Sequence, residues 1–316
     1  KPMRIISEYD VPEDAWFFQQ NSHPEWMPYS VLMEIALQPC GFISANSGAM
    51  LIYPELDLHY RNLDGNGTLS KHIDLRGKTI QAEVELYSTV ASGNTVIQKH
   101  RFLLKCEGLP FYKGDTVFGY FTDEALENQT GLDGGKAKLP WLDENTNHDM
   151  KVYRLNDSNS ELESGKPHLK LAGNQLNLLD EVHLSPSVGS HGKGYAYGKR
   201  VVDPKDWFFP CHFHQDPVMP GSLGVEAILQ ALQVFCLDQK LGDSFSNPRF
   251  RPSLSQTRWK YRGQIIPTTG MMQLELHVSK IEKQDEQLML VADASLWRDE
   301  LRIYEVQNIS LVIEEA

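Results

Sequence analysis

The sequence predicts an α+β fold made of two related halves, and three features carry that reading. The first is a repeat. WFFPCHFHQDPVMPG at 207–221 returns in altered form as WFFQQNSHPEWMP at 16–28, and self-similarity of this kind marks a duplicated unit. The second is an apolar, helix-like run directly after each copy, SVLMEIALQ at 30–38 and SLGVEAILQALQVFCL at 222–237. The third is the way each half closes, on strand-like runs. These are QAEVELYSTV, VIQKHRFLLKCEG and TVFGYF in the first half, and MMQLELHVSKI, LMLVADASLW and IYEVQNISLVI in the second.

Each half therefore reads as a short strand, an aromatic-rich loop, one apolar helix and several longer antiparallel strands. Trp16-Phe17-Phe18 aligns with Trp207-Phe208-Phe209 and Met27-Pro28 with Met219-Pro220, the first copy being one residue shorter between these anchors. Ser30 to Glu34 then matches Ser222 to Glu226, Gln38 matches Gln230, and Leu75-Arg76-Gly77-Lys78 matches Tyr261-Arg262-Gly263-Gln264. Residues 1–125 form the first unit and 171–316 the second. Residues 126–170 are rich in Gly, Asn and Asp and read as a linker, with Trp141 and Val152-Tyr153 marking a part that packs down. The second half also has a lead-in, LNLLDEVHL at 176–184, without a counterpart in the first. The chain opens on Lys1 and enters strand-like sequence at once, as a piece of a longer polypeptide would.

At 316 residues and 41% hydrophobic content the chain can fill two ordinary domains. Its net charge of −12 argues against nucleic acid as a partner. No apolar run reaches the roughly 18–20 residues of a bilayer span and no signal peptide is apparent, so no membrane association is expected. The four cysteines (Cys40, Cys106, Cys211, Cys236) form no CxxC. That argues against a disulfide framework or zinc finger and fits a reduced, cytoplasmic setting. GxGxxG, GxxxxGK and HExxH are all missing, so neither nucleotide nor flavin nor metal is expected as cofactor.

The helix at 222–237 is apolar almost all round, which predicts burial. Its one charge is Glu226, and the equivalent run in the first half has Glu34. A carboxylate one turn into a buried helix is costly unless paired or functional, and its duplication weighs against an idle, water-facing pair. Gln230 and Gln38, four residues on, share the helix face and are placed to hold the carboxylates. Ser222 is a candidate cap, and Gly221 leaves room for a ligand at the first amides, where the helix dipole favours negative charge. In the first copy Tyr29 replaces that glycine, and Pro39 is expected to cut the helix short. His212-x-His214 with Asp216 allows a metal-site reading, which so short a spacing supports weakly. The other histidines read as ordinary surface or core residues and His23 as a loop residue.

Cys211-His212-Phe213, Asp216 to Gly221 and Leu223-Gly224 resemble the active-site stretch of the bacterial 3-hydroxydecanoyl-ACP dehydratase/isomerase family, and RGQIIP at 262–267 extends the match. The resemblance covers about residues 174–316. With its weaker copy at 1–125 the chain is similar to the dehydratase regions of polyunsaturated fatty acid synthases. It implies a double hotdog, two units each with an antiparallel sheet wrapped around a central helix, and a site at their interface. It also implies a catalytic His and an acid fourteen residues later, the spacing of His212 and Glu226. The expected reaction is dehydration of 3-hydroxyacyl thioesters on an acyl carrier protein, with His as base, Glu as acid and the amides at Gly221 and Ser222 receiving the thioester oxygen. Two departures matter. The acid is Glu where the isomerase has Asp, which predicts weak or absent isomerase activity, and Gln215 stands where the family has Gly.

In the resembled family the His of one hotdog meets the acid of its partner. His212 would then face Glu34, while Glu226 would face Asn21 or Gln20, neither of which can act as a base. A non-catalytic acyl-binding or structural module fits the first half alone, and a thioesterase is the third reading. Expected partners are the carrier protein and other domains of a multidomain synthase; a homodimer is compatible. Between Ser244 and Leu274 there is no Asp or Glu, while Arg249, Arg251, Arg258, Lys260 and Arg262 supply five positive charges. They are expected to form the carrier-docking surface.

Overall fold

The computed structural model describes residues 2–145, 147–155, 162, 165–284 and 286–316; linker residues 156–161 and 163–164 lie outside them. The first half runs β1 (Met3–Asp10), a short helix α1 (Trp16–Gln20), the long helix α2 (Tyr29–Asn46), then β2 (His59–Leu69), β3 (Thr79–Ser92), β4 (Thr95–Cys106) and β5 (Leu109–Phe121). Two short helices, α3 (Asp123–Glu127) and α4 (Trp141–Glu144), and β6 (Lys151–Arg154) follow. The second half runs β7 (Glu181–Ser185), β8 (Tyr195–Val201), α5 (Gly221–Asp238), β9 (Pro248–Pro252), β10 (Gln256–Tyr261), β11 (Met271–Gln284), β12 (Gln287–Arg298) and β13 (Leu301–Glu315).

The strands form one sheet in the order β1-β3-β4-β5-β2-β10-β13-β12-β11-β8-β7-β6, with β9 on β13 off this path. Read outward from the centre, β2-β5-β4-β3-β1 mirrors β10-β13-β12-β11-β8. The halves meet edge to edge through antiparallel β2 and β10, and α2 and α5 pack on each other and on the strands of their own halves. This is a double hotdog. The lead-in becomes β7, which extends the second half's edge and carries β6 from the linker. Trp141 also packs down, with its amide bonded to Glu275 at 2.6 Å and its ring against Tyr195.

Apolar sequence decides which helix is innermost. Every residue of α5 from Ser222 to Leu237 is buried, whereas α2 leaves Phe42 exposed. Pro39 does not shorten α2: both helices have 18 residues and Pro39 is interior. Its lost hydrogen bond and ring crowding cost about 3 kcal/mol, which core packing by Met33, Ala36, Cys40 and Ile43 offsets. The expectation that no segment is long and apolar enough for a bilayer needs correction, because Tyr29–Ile52 passes by length and composition. Its buried face is the core helix that packs on α5.

At the junction Trp259 on β10 lies opposite Gly65 on β2. A Cβ at Gly65 would come within 2.2 Å of the Trp259 ring, so only glycine lets the indole cross the seam and donate to Asn62 at 2.7 Å.

Candidate active site

A cavity of about 490 Å³ opens between the halves, and His212 and Glu34 both line it. His212 sits in the loop before α5. Its Nδ1 lies 3.0 Å from the Val218 carbonyl. A carbonyl only accepts, so Nδ1 carries the proton and Nε2 of the neutral ring is left as an acceptor. The loop is closed by Val218 N–H to His212 O at 2.7 Å and Phe213 N–H to Asp216 O at 2.9 Å. Within it Gln215 has φ +58°, the left-handed region glycine favours, which accounts for the glycine of the resembled pattern; nothing in the structure explains the Gln here. Glu34 lies one turn into α2. Its Oε1 accepts from the Ser222 hydroxyl at 2.6 Å, and Gln38 Nε2 lies 3.4 Å from its Oε2. Gly221 and Ser222 open α5 at the cavity wall, where first-turn amides have no carbonyl of their own helix to bind.

The repeat produces a second, nearly filled counterpart of about 40 Å³, lined by Asn21 and Glu226. That is room for a water or two, not a thioester. Asn21 occupies the place of His212, and its Nδ2 donates to the Trp26 carbonyl at 2.7 Å, as His212 Nδ1 does to Val218. The scaffold bond is kept and the imidazole is lost. Glu226 accepts from the Ser30 amide at 2.9 Å, and burial raises its carboxyl above the usual range against that bond.

Two local expectations are corrected, and that for Gly221 gains a second cause. Pro220, not Ser222, is the N-cap of α5, and the Ser222 hydroxyl serves Glu34 instead. At Gly221 a Cβ would meet the Tyr261 ring at 2.6 Å, so the glycine admits that ring. Gln230 does not hold Glu226: its amide bonds Asn177 Oδ1 and the Leu178 amide, both at 2.9 Å.

The five cations do not form one surface. Arg249 bonds Glu25 and Glu314, and Arg251 is buried against Glu314, Gln287 and His72. Both flank the filled counterpart, because β9 folds back onto the end of β13. Arg258 and Lys260 point to solvent, since alternate residues of β10 face opposite sides. Arg262 lines the open cavity and pairs with Asp64 at 3.1 Å.

The places of four other groups have no local signal in the sequence. Arg61 on β2 and Gln129 in the linker line the cavity. The Gln129 Oε1 is buried without a partner among the described residues. Asp216 is engaged by Arg61 and by His59 Nδ1 at 3.0 Å. Burial disfavours its charge, but the Arg61 guanidinium and then His59 outweigh it and hold the carboxyl below its usual range. These contacts depend on long-range pairing of β2 with the His212 loop, which local spacing cannot show.

The family model described as a FabA-like domain matches residues 171–307. A polyunsaturated fatty acid synthase subunit of Thraustochytrium sp. is 37% identical over 320 residues, 98% of this chain and 21% of that protein. The chain thus spans about a fifth of this curated relative. Among solved structures, an oleoyl thioesterase of Lactobacillus plantarum aligns with TM-score 0.54 and 6% identity, over 99% of this chain and 96% of its own. The bifunctional dehydratase-cyclase domain of ambruticin biosynthesis aligns with TM-score 0.51 and 12% identity, over 100% of this chain and 91% of its own. At such identities the likeness speaks for the fold alone. The family match, the synthase relative and the duplicated architecture agree: residues 171–307 belong to the FabA-like hotdog domains, here joined to a second hotdog within one chain.

Proposed function

We propose that the chain dehydrates 3-hydroxyacyl thioesters carried on an acyl carrier protein to trans-2-enoyl thioesters, within a multidomain synthase of the polyunsaturated fatty acid or polyketide kind. One observation supports this most: His212 of one half and Glu34 of the other line the same cavity, while Glu226 lies with Asn21 in the filled one. His212 Nε2 takes the proton from C2 of the substrate. The C3–O bond breaks as Glu34 gives a proton to the departing hydroxyl, the C2–C3 double bond forms, and water leaves. The first amides of α5 receive the thioester oxygen as it gains charge. Each proton-transfer group contributes ~10²–10⁴ in rate, and one aimed donor ~10² or more.

This chemistry asks for no metal, nucleotide or flavin. Glu226 stands as the acid of the lost site. Of the five cations, Arg262 is placed to meet the carrier's arm at the cavity, with Arg258 and Lys260 on the outer face of β10. Other synthase domains and a cytoplasmic setting belong to the same reading. The thioesterase reading is weaker, because a hydrolase needs only a carboxylate to activate water and leaves the His212 base unexplained. An acyl-binding module without catalysis leaves it unexplained as well.

The test follows enoyl absorbance with 3-hydroxyacyl pantetheine thioesters of several chain lengths. Wild type should turn over and His212→Ala should fall at least ~10²-fold. Equal rates for the two proteins would sink the assignment, and thiol release in place of enoyl formation would favour hydrolysis.

A further inference from the structure

Arg61 has a place that neither the fold nor the proposed chemistry requires by itself. It projects from β2 of the first half, and its side chain is 10% exposed. Two of its nitrogens reach both carboxylate oxygens of Asp216 at 2.6 Å, and its Nε reaches Gln264 Oε1 at 2.5 Å. Asp216 belongs to the second half, four residues after His212 in the same closed loop. The fork-to-fork geometry is the most orientation-specific ion pair available to proteins. His59 adds a further contact by reaching Asp216 with Nδ1 at 3.0 Å and Asp123 with Nε2 at 2.7 Å.

Asp216 is mechanically coupled to His212. The Phe213–Asp216 turn and the Val218–His212 bonds make the loop a small rigid ring. The loop is otherwise largely exposed, with Cys211, Phe213, His214 and Gln215 all facing solvent. Its anchorage to the first half, the half that brings Glu34, therefore runs through Asp216 to the bidentate Arg61, with His59 beside it. We infer that Arg61 and Asp216 form an inter-half clamp that sets the position of His212 relative to Glu34, making both positioning residues for the proposed dehydration. The first half thus supplies the acid and also the hold on the base that works with it. A displacement of about 1 Å at a reacting group can cost ~10²-fold in rate.

The inference rests on the proposed function for its kinetic consequence but not for its structural one, so the experiment has two arms. Arg61→Met, Asp216→Asn and the double variant are compared with wild type. In the first arm, amide hydrogen exchange is followed by mass spectrometry in a peptide covering 207–219; exchange should quicken in all three variants. In the second arm, kcat for a 3-hydroxyacyl pantetheine thioester should fall about 10- to 100-fold, with KM changing less than about threefold. Asp216→Asn strands the partly buried Arg61 charge, Arg61→Met leaves Asp216 with His59 alone, and each should lower Tm. The double variant strands none, so its Tm should return toward wild type while kcat stays low. Unchanged exchange overturns the clamp, as does a kcat that recovers together with Tm in the double variant, or one that never fell. A wild-type protein without dehydratase activity whose variants still loosen the loop leaves the clamp standing and removes the proposed function instead.

Discussion

The hydroxyl of Ser222, on the helix of the second half, donates to Oε1 of Glu34, on the helix of the first, at 2.6 Å. The filled counterpart has the reciprocal contact, Ser30 to Glu226, but through the backbone amide. Each helix start thus holds the glutamate of the other half, and of these two glutamates Glu34 shares a cavity with a histidine.

Ser222→Ala should therefore lower kcat without a comparable change in KM. A hydrogen bond to a charged or proton-donating carboxyl is worth about 1.5–3 kcal/mol, or roughly 10- to 100-fold in rate. Steady-state kinetics on a pantetheine thioester measure this, and an unchanged kcat would show that the contact is incidental.

Glu226 should make the fold sensitive to alkali. Burial, against the Ser30 bond, raises its carboxyl above 4.5. Between about 4.5 and the folded-state value the native chain holds a proton that the unfolded chain has lost. Stability contributed by this group is therefore full below 4.5 and declines as pH rises, by about 1.4 kcal/mol per unit inside that window. Glu226→Gln should gain on wild type in urea unfolding as pH rises above 4.5, until the folded-state carboxyl has lost its proton. A difference that does not vary with pH contradicts this.

Gly65→Val should weaken the seam between the halves. Its Cβ would collide with the Trp259 ring, and overpacking of this kind costs typically about 1–3 kcal/mol. Thermal unfolding should show a clear drop in Tm. An unchanged Tm would mean the indole has another place to go.

Product analysis should find 2-enoyl thioesters far in excess of 3-enoyl ones. Glu34 is one methylene longer than the Asp of the resembled isomerase, a shift of about 1.5 Å, and isomerisation asks for a proton donor farther along the acyl chain. Comparable amounts of both products would contradict this.

Much of this was legible in the sequence because duplication repeats its own evidence. Two WFF anchors, two single-charge helices and two sets of strands pointed to the architecture, and Asn21 in place of a histidine marked the copy whose pocket is nearly filled. What stayed hidden depended on contacts between residues far apart in the chain. Arg249 and Arg251 read as surface cations because their partner Glu314 is more than sixty positions away. The close approach of the Tyr261 ring to Gly221 left no local trace because Tyr261 is forty positions on. Pro39 read as a helix stop because propensity is local, whereas the packing that carries α2 through it is tertiary.

The shared site is tested most directly by comparing Glu34→Gln and Glu226→Gln in one dehydration assay. Neutral glutamine keeps the shape and hydrogen-bonding reach of each side chain while removing its acid. Turnover should fall at least ~10²-fold in Glu34→Gln and stay within about threefold of wild type in Glu226→Gln. The reverse pattern, activity lost with Glu226 and kept without Glu34, would mean that His212 works with the acid of its own hotdog and that the halves do not share a site.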